Sequence, residues 1–259
     1  MAPGGTVGKA AVVLRAFTPF ADVLSVRQLA ERTGIPRSTV HELCCALRGQ
    51  GLLESAPGGG YRLGPLLVEL GGQVIERTGL VDAAEGVVGR LRAADSEIHL
   101  GQLVDGWMVY LHRDGGPLRA PMNNRVGLRV PAHATGCGRA AMSLLAADEV
   151  LDRVRRLCSE ERRPLPDLDH LAEELAQVRR QGYVVCRSFQ PGRTSVAAPI
   201  HDPARRPVGA ISVAADSDLL PPARIRATGR EVLAAAGAVS ARLADGRARP
   251  AAPGNRGHP

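Results

Sequence analysis

SVRQLAERTGIPRSTVHELCCALRGQGLLESAPGGGYRLG, which runs from Ser25 to Gly64, is the stretch whose reading decides the fold. Ala30, Gly34 and Val40 stand at the offsets a helix-turn-helix requires: a small residue where two helices approach, a glycine in the turn, and a branched apolar residue that plugs the second helix into the core. Ser25 is a good N-cap for a helix from Val26 to about Thr33. A second helix starts near Pro36, where a missing N–H costs nothing. Val40, Leu43, Cys44 and Leu47 recur at i, i+3, i+4 and i+7 and predict one buried stripe. Arg37, Ser38, His41, Glu42, Cys45 and Arg48 then occupy the opposite face, with Thr39 at its margin. Such a polar first turn suits the major groove of DNA. Leu52-Leu53, Pro57-Gly58-Gly59-Gly60 and Tyr61-Arg62-Leu63 follow as strand, flexible tip and strand, a β-wing. A helical hairpin in an ordinary core is the plainer alternative, but it does not account for these features occurring together and in order.

The 259 residues suffice for two domains that each bury a core. A net charge of +7 makes a polyanionic partner plausible. The charge is not concentrated at the helix-turn-helix: residues 1–80 carry Lys9 and seven arginines against six acids, a balance of +2. Lys9 is the only lysine, which fits an arginine-rich composition as readily as a nucleic-acid footprint. Aromatic residues make up only 3%. Binders of single strands stack bases on aromatic rings, so this scarcity favours duplex DNA. The five cysteines, Cys44, Cys45, Cys137, Cys158 and Cys186, are odd in number and lack C-x-x-C spacing. They suggest neither a disulfide framework nor a zinc site and fit a reducing cytosol. No signal peptide or long apolar span is visible, so a soluble, cytoplasmic protein with no membrane partner is expected.

Helical spacing from Gly8 to Phe20 predicts a helix ahead of the helix-turn-helix, limited by Pro19. Beyond the wing, Pro65 opens a helix with Leu66, Leu67, Leu70 and Val74 on one stripe, ending near Thr78-Gly79 and read as a linker. Another helix is expected from Leu80 to about Ala94. Ile98–Val104 and Trp107–Leu111 alternate around the turn signal Asp105-Gly106, and Asp114-Gly115-Gly116-Pro117 closes that hairpin region. Arg125–Val130 reads as a strand, with helices over Thr135–Leu145, Ala147–Leu157 and Asp169–Gln181. Strands follow at Tyr183–Ser188, Thr194–Ile200 and Val208–Ala215, then a helix from Pro222 to about Leu243. The fold class expected is α+β, with helices against a mixed sheet. The domains would be a winged helix over 1–64, a linker helix over 65–79, an effector-binding domain over 80–244 and a disordered tail over 245–259.

The order of motifs resembles the IclR family of bacterial transcriptional regulators from about Val7 to Leu243. The residues that carry the likeness are Leu29 to His41 and Tyr61-Arg62-Leu63-Gly64 in the first half. In the second half they are His133 to Ala140, Arg180-Gln181-Gly182-Tyr183, Val196 to Ile200 and Ala210-Ile211-Ser212-Val213. The resemblance implies a winged-helix DNA-binding domain, a linker helix and a GAF-like domain for a small, often carboxylate-bearing metabolite. It also implies homodimers, commonly pairing into tetramers, on partly palindromic operators. DNA contacts would come from Arg37, Ser38, Thr39, His41, Glu42 and Arg48, with Gln28 and Arg62 near phosphates. Carried onto matching positions, the effector pocket would include Thr135, Gly136, Cys137, Gly138, Cys186, Arg193, Ser195, Ser212 and Ala214. Gly136 to Gly138 sit where a loop enters a helix, so free N–H groups and the helix dipole would favour an anion there.

Departures from the family pattern bear on specificity. Where many relatives have an acidic run, this chain has Cys186-Arg187-Ser188-Phe189-Gln190, and where they often have Ser-x-Ser it has Ser212-Val213-Ala214. With a carboxylate and a hydroxyl missing, the expectation is either an effector less polar than a small oxo-acid or a pocket that has changed role. Glu42 stands where many relatives have a basic residue. It could accept from a cytosine amino group or pair with Arg48 or another cation.

Gly136-Cys137-Gly138-Arg139-Ala140-Ala141 also matches a degenerate dinucleotide fingerprint, without a clear parallel strand before it or a placed acid after it. His99, His112, His133 and His201 are scattered among strands and loops, so no metal, cofactor or catalytic set is expected. Two alternatives to a DNA-binding, effector-controlled regulator are weighed. One is an enzyme with a GAF-like catalytic half. The other is a thiol-based redox regulator using Cys137 and Cys186, since a helix N-terminus lowers thiol pKa.

Overall fold

The protein is described by a computed structural model covering residues 5–18, 20–91, 95–115, 126–187 and 189–246. The chain divides into two compact units, Met1–Arg77 and Thr78–Pro259.

The first unit orders three helices, α1 (Gly5–Arg15), α2 (Val26–Thr33) and α3 (Arg37–Gly49), before a hairpin of β1 (Leu53–Ser55) and β2 (Tyr61–Leu63). Helix α4 (Leu66–Thr78) follows. Ser25 and Gln28 form a reciprocal capping box: the Gln28 N–H donates to Ser25 Oγ at 3.3 Å, and the Ser25 N–H donates to Gln28 Oε1 at 2.9 Å. Gly34 ends α2 at φ +69, a conformation open to glycine at little cost. Val40, Leu43, Cys44 and Leu47 are all buried, against Val13, Leu29 and Leu53 among others. The predicted stripe is therefore the face that fixes the rotation of α3.

The wing gains a third backbone segment, because Leu24 and Tyr61 exchange two hydrogen bonds of 2.9 Å each. Gly60 must be glycine for that approach: φ is +88, and a Cβ there would lie 2.9 Å from the Leu24 carbonyl oxygen. The first helix sits earlier than its expected Gly8–Phe20 span. It stops at Arg15, and Thr18 pairs with Ala21 instead of continuing it, as suits a residue that precedes a proline.

The second unit is a six-stranded sheet between two helical layers. It begins with α5 (Leu80–Ala84) and a 3₁₀ turn (Val88–Leu91), then β3 (Glu97–Val104), β4 (Trp107–Gly115) and β5 (Arg129–Pro131). Helices α6 (Gly136–Met142), α7 (Ala147–Glu160) and α8 (Leu168–Gln181) come next. Then come β6 (Val184–Cys186), β7 (Arg193–His201), β8 (Pro207–Asp216) and α9 (Pro222–Ala244). Strand order is β5-β4-β3-β8-β7-β6.

Alternation separates the two faces. Ile98, Leu100, Val196, Ala198, Ile200, Ile211 and Val213 pack toward α5 and α9, while Ala197, Ala210 and Met108 pack toward α6, α7 and α8. Arg179 ties α8 to the end of α6, donating to the Ser143 and Leu145 carbonyls at 2.7 and 3.0 Å. Trp107 lies under the Arg129 guanidinium, whose carbon is 3.8 Å from the ring centroid.

The α+β layout is the one expected, but every described strand pair is antiparallel rather than mixed. The return through α6, α7 and α8 delivers β6 antiparallel to β7 at the sheet edge. The helix expected over Leu80–Ala94 is broken after Ala84, since Gly86 turns left-handed at φ +70; residues 92–94 lie outside the described residues. The strand expected over Arg125–Val130 is shortened to Arg129–Pro131 because Gly127, at φ +80, breaks the ladder, and Arg125 lies outside the described residues. Strand β4 runs through Asp114 and Gly115, which had been expected to be a turn, while Gly116 and Pro117 lie outside the described residues. Thr135 is the cap of α6 rather than its first residue, and that helix stops at Met142. Strand β6 is confined to Val184–Cys186, and Ser188 lies outside the described residues, as do residues 247–259 of the expected tail.

The capping box gives a direct test of the first unit. Ser25→Ala removes the hydroxyl that accepts from Gln28 and should cost about 1 kcal/mol of local stability. The expected readout is faster hydrogen exchange at α2 amides with second-unit amides unchanged; equal protection of α2 in both proteins refutes the assignment.

Candidate functional site

The polar face of α3 is set by the burial of its opposite side. Arg37, Ser38, His41, Glu42 and Arg48 are exposed, and Thr39 and Cys45 are half-buried at the margins. Arg37, Ser38, His41 and Glu42 share one concavity with Val26 at the start of α2. Other polar groups of this unit are committed locally. Arg48 Nη1 donates to Ser55 Oγ at 3.2 Å, and Arg62 forms an ion pair with Glu54 directly across the wing. Gln28, expected near phosphates, spends its side-chain oxygen on the Ser25 cap. Glu42 and Arg48, which could have paired, do not.

In the second unit the sheet register assembles the predicted pocket. Cys186, Ser195 and Ala214 lie in one row across β6, β7 and β8, and Ser212 lies in the next row with His99 on β3. Thr135, Gly136 and Cys137 face them from the start of α6, and Arg193 closes one side, leaving a cavity of about 30 Å³. That is room for one or two waters. Gly136 allows the close approach of α6: a Cβ there would lie 2.7 Å from Ser195 Oγ.

Gly138 is the exception among the expected pocket residues. It does not line the cavity, and its N–H donates to Thr135 Oγ1 at 3.0 Å. It is glycine for packing, since a Cβ would fall 2.0 Å from the Ala132 carbonyl oxygen. With that amide consumed by the cap, the loop does not offer the run of free amides that a dinucleotide fingerprint requires.

A family model described as "Bacterial transcriptional regulator IclR C-terminal" matches residues 72–241, and one described as "IclR helix-turn-helix domain" matches residues 6–57. The chain belongs to the IclR family of bacterial transcriptional regulators. It is 30% identical to the regulator XynR of Escherichia coli K12, over 80% of this chain and 84% of XynR. It is also 30% identical to BhcR of Paracoccus denitrificans, over 82% and 78% of the two chains. A solved IclR regulator from Silicibacter sp. TM1040 superposes with a TM-score of 0.76 at 25% identity, covering 92% of this chain and 96% of that one. An IclR-family structure from Brucella abortus shares the fold, with a TM-score of 0.75 at 23% identity and 91% of each chain covered.

As an IclR-family member the chain is a DNA-binding transcriptional regulator with a C-terminal effector-binding domain. The family consists of regulators, which are not enzymes, and neither the enzyme reading nor the thiol-switch reading draws support from these relatives. Cys137 and Cys186 are buried on the cavity wall and form no disulfide. Elsewhere, burial and then the neighbouring Cys45 push the Cys44 thiol up to about 11. No described helix is long and apolar enough to cross a membrane.

The structure adds His99, Tyr110, Phe189, Gln190 and Thr194 to the lining of this cavity, and it sets a charged cluster beside the lining residues His99 and Arg193. Glu97 is in register with Ala214, and its carboxylate lies 3.2 Å from His99 Nε2, 3.2 Å from Arg193 Nη2 and 3.5 Å from Arg113 Nη2. Arg193 also meets Asp216 at 3.0 Å. Glu97 thus brings a carboxylate from β3 beside Ala214. A signal was present in the sequence: Glu97 and His99 are polar at alternate positions flanking Ile98 and Leu100 at the start of β3.

Burial alone would raise the Glu97 pKa. The His99 hydrogen bond and the charges of His99, Arg193 and Arg113 outweigh burial and hold it at about 2, below its usual 4.5. Because the folded-state value is depressed, the stabilisation is complete above about 4.5 and is lost as pH falls toward 2. The difference corresponds to roughly 3 kcal/mol. Urea unfolding followed from pH 6 to pH 2.5 should therefore show a steep loss of stability in the wild type and a shallower one in Glu97→Gln. Parallel slopes would refute the role of Glu97.

Proposed function

We propose that the exposed face of α3 reads the major groove of operator DNA through Arg37, Ser38 and His41, and that the cavity behind Gly136, widening beyond its present room for one or two waters, takes the small molecule that controls this binding. The observation that carries the first half is the free polar face. With the stripe from Val40 to Leu47 buried, Arg37 is presented at the first turn with no hydrogen bond or ion pair among the described residues. Thr39, at the margin, and Arg48, held by Ser55, orient the helix and approach the backbone. Arg62, already paired with Glu54, contributes less phosphate attraction than a free arginine. A homodimer or tetramer on a two-fold operator suits this arrangement. Leu70 and Val74 leave an apolar patch on one side of α4 exposed for a second copy to cover. Replacing Arg37 by Ala should weaken binding to a genomic operator fragment by about 1–3 kcal/mol. Fluorescence anisotropy at fixed salt measures this, and unchanged affinity would count against the reading.

For the effector, an uncharged, hydrogen-bonding small molecule fits better than an oxo-acid. The charge of the pocket arginine, Arg193, is already met by Glu97 and Asp216, while its Nε and Nη2 are buried with no hydrogen-bond partner among the described residues, so it offers donors to a neutral acceptor more than a free charge to a carboxylate. The Gly136 N–H and the Ser212 hydroxyl have no protein partner among the described residues, and both groups line the cavity. A thermal-shift screen of small metabolites should find its hits among uncharged compounds, because a ligand that binds only the folded state raises its apparent stability. Gly136→Ala, which fills the cavity from α6, should abolish those shifts; retained shifts would place the ligand elsewhere.

A further inference from the structure

Glu42 puts a carboxylate on the face that meets a polyanion, and the structure removes the ordinary explanation for it. Arg37 shares its concavity yet forms no ion pair with it, and other cations of the first unit are engaged elsewhere. Arg48 donates to Ser55, Arg62 pairs with Glu54, Arg27 lies 3.5 Å from Glu31, and Arg32 donates to the Ala16 carbonyl at 3.0 Å. Glu42 itself is exposed and has no hydrogen bond or ion pair among the described residues. It shares the concavity of Arg37, Ser38 and His41 rather than pointing along the flank of α3.

A lone carboxylate against DNA is repelled by phosphates and accepts only from a base-edge donor. In the major groove the donors are the amino groups of cytosine and adenine. Adenine sets its N7 acceptor beside the amino group, and the two carboxylate oxygens meet one donor and one repelling lone pair. Cytosine presents its amino group without an adjacent acceptor on its own edge. Thymine offers an acceptor and a methyl, and guanine offers acceptors only. Glu42 stands about 7.5 Å along the helix axis from Arg37, a rise comparable to about two base-pair steps. The two side chains therefore meet different base pairs.

We propose that Glu42 is a specificity-determining residue that selects cytosine at one position of the bound half-site. The proposal rests on α3 being the DNA-reading helix, and the test separates the two. Full-length wild type, Glu42→Gln and Glu42→Ala are each used to select duplexes from one randomised library, and the enriched pools are sequenced. Because Glu42 is exposed and bonded to nothing, both variants should keep the wild-type melting curve. The wild type should enrich cytosine at one position, preferred about 5- to 150-fold over the other bases. Glu42→Gln should change that position to adenine, which a glutamine amide contacts through both N6 and N7. Glu42→Ala should leave it unspecified, with the rest of the site unchanged in all three. If all three proteins enrich the same base at every position, or if the position that responds to Glu42→Gln is not cytosine in the wild type, the proposal is overturned while the reading of α3 stands. If the wild type enriches no sequence at all, the reading of α3 falls and the proposal falls with it.

Discussion

The rotation of one helix about its axis decides what the first unit can do. Successive α-helical residues are about 100° apart, so burying Val40, Leu43, Cys44 and Leu47 against Val13, Leu29 and Leu53 leaves no choice about which residues face outward. The seam is apolar and close-packed, and turning it by one residue would expose leucine while burying Arg37 or Glu42 beside it. The cost of burying such a charge exceeds any gain a single DNA contact offers. Recognition chemistry is thus fixed by residues that never touch DNA. The capping box at Ser25 and the left-handed Gly34 serve the same end, since they set where α2 starts and where it hands over to the turn.

The second unit uses a different constraint. Two arginines, two carboxylates and a histidine from four strands meet beside the cavity. Each member is costly to bury alone, and together they neutralise one another. The cluster offsets the Arg193 charge that a carboxylate ligand would have sought, while leaving Arg193 Nε and Nη2 without a hydrogen-bond acceptor among the described residues. Beside Ala214, which brings no hydroxyl to the wall, stands the charged Glu97.

Much of this was legible in the residues. The helix-turn-helix offsets, the stripe on α3 and the wing glycines were readable from local pattern, because helical period and turn chemistry are short-range properties. The expected pocket residues came instead from the family resemblance; all but Gly138 line one cavity, together with His99, Tyr110, Phe189, Gln190 and Thr194. Gly138 was misjudged because glycine serves equally for ligand approach and for packing, and only the position of the Ala132 carbonyl distinguishes them. Glu97 was missed because its partners lie on other strands. Arg113, Arg193 and Asp216 reach it through sheet register, which no local pattern reveals. The ends of α1, α5 and β5 shifted for the same reason in miniature. Thr18, Gly86 and Gly127 redirect the backbone through pairings or left-handed turns within segments whose spacing reads as continuous.

The chain has a single tryptophan, and it lies on β4 beneath Arg129, in the second unit. Its emission therefore reports on the sheet edge of the effector-binding half and carries no direct signal from the winged helix. The two halves are optically unequal. A loss of structure confined to the first unit would leave indole fluorescence unchanged while removing backbone helicity, so the two signals followed together tell which half has given way.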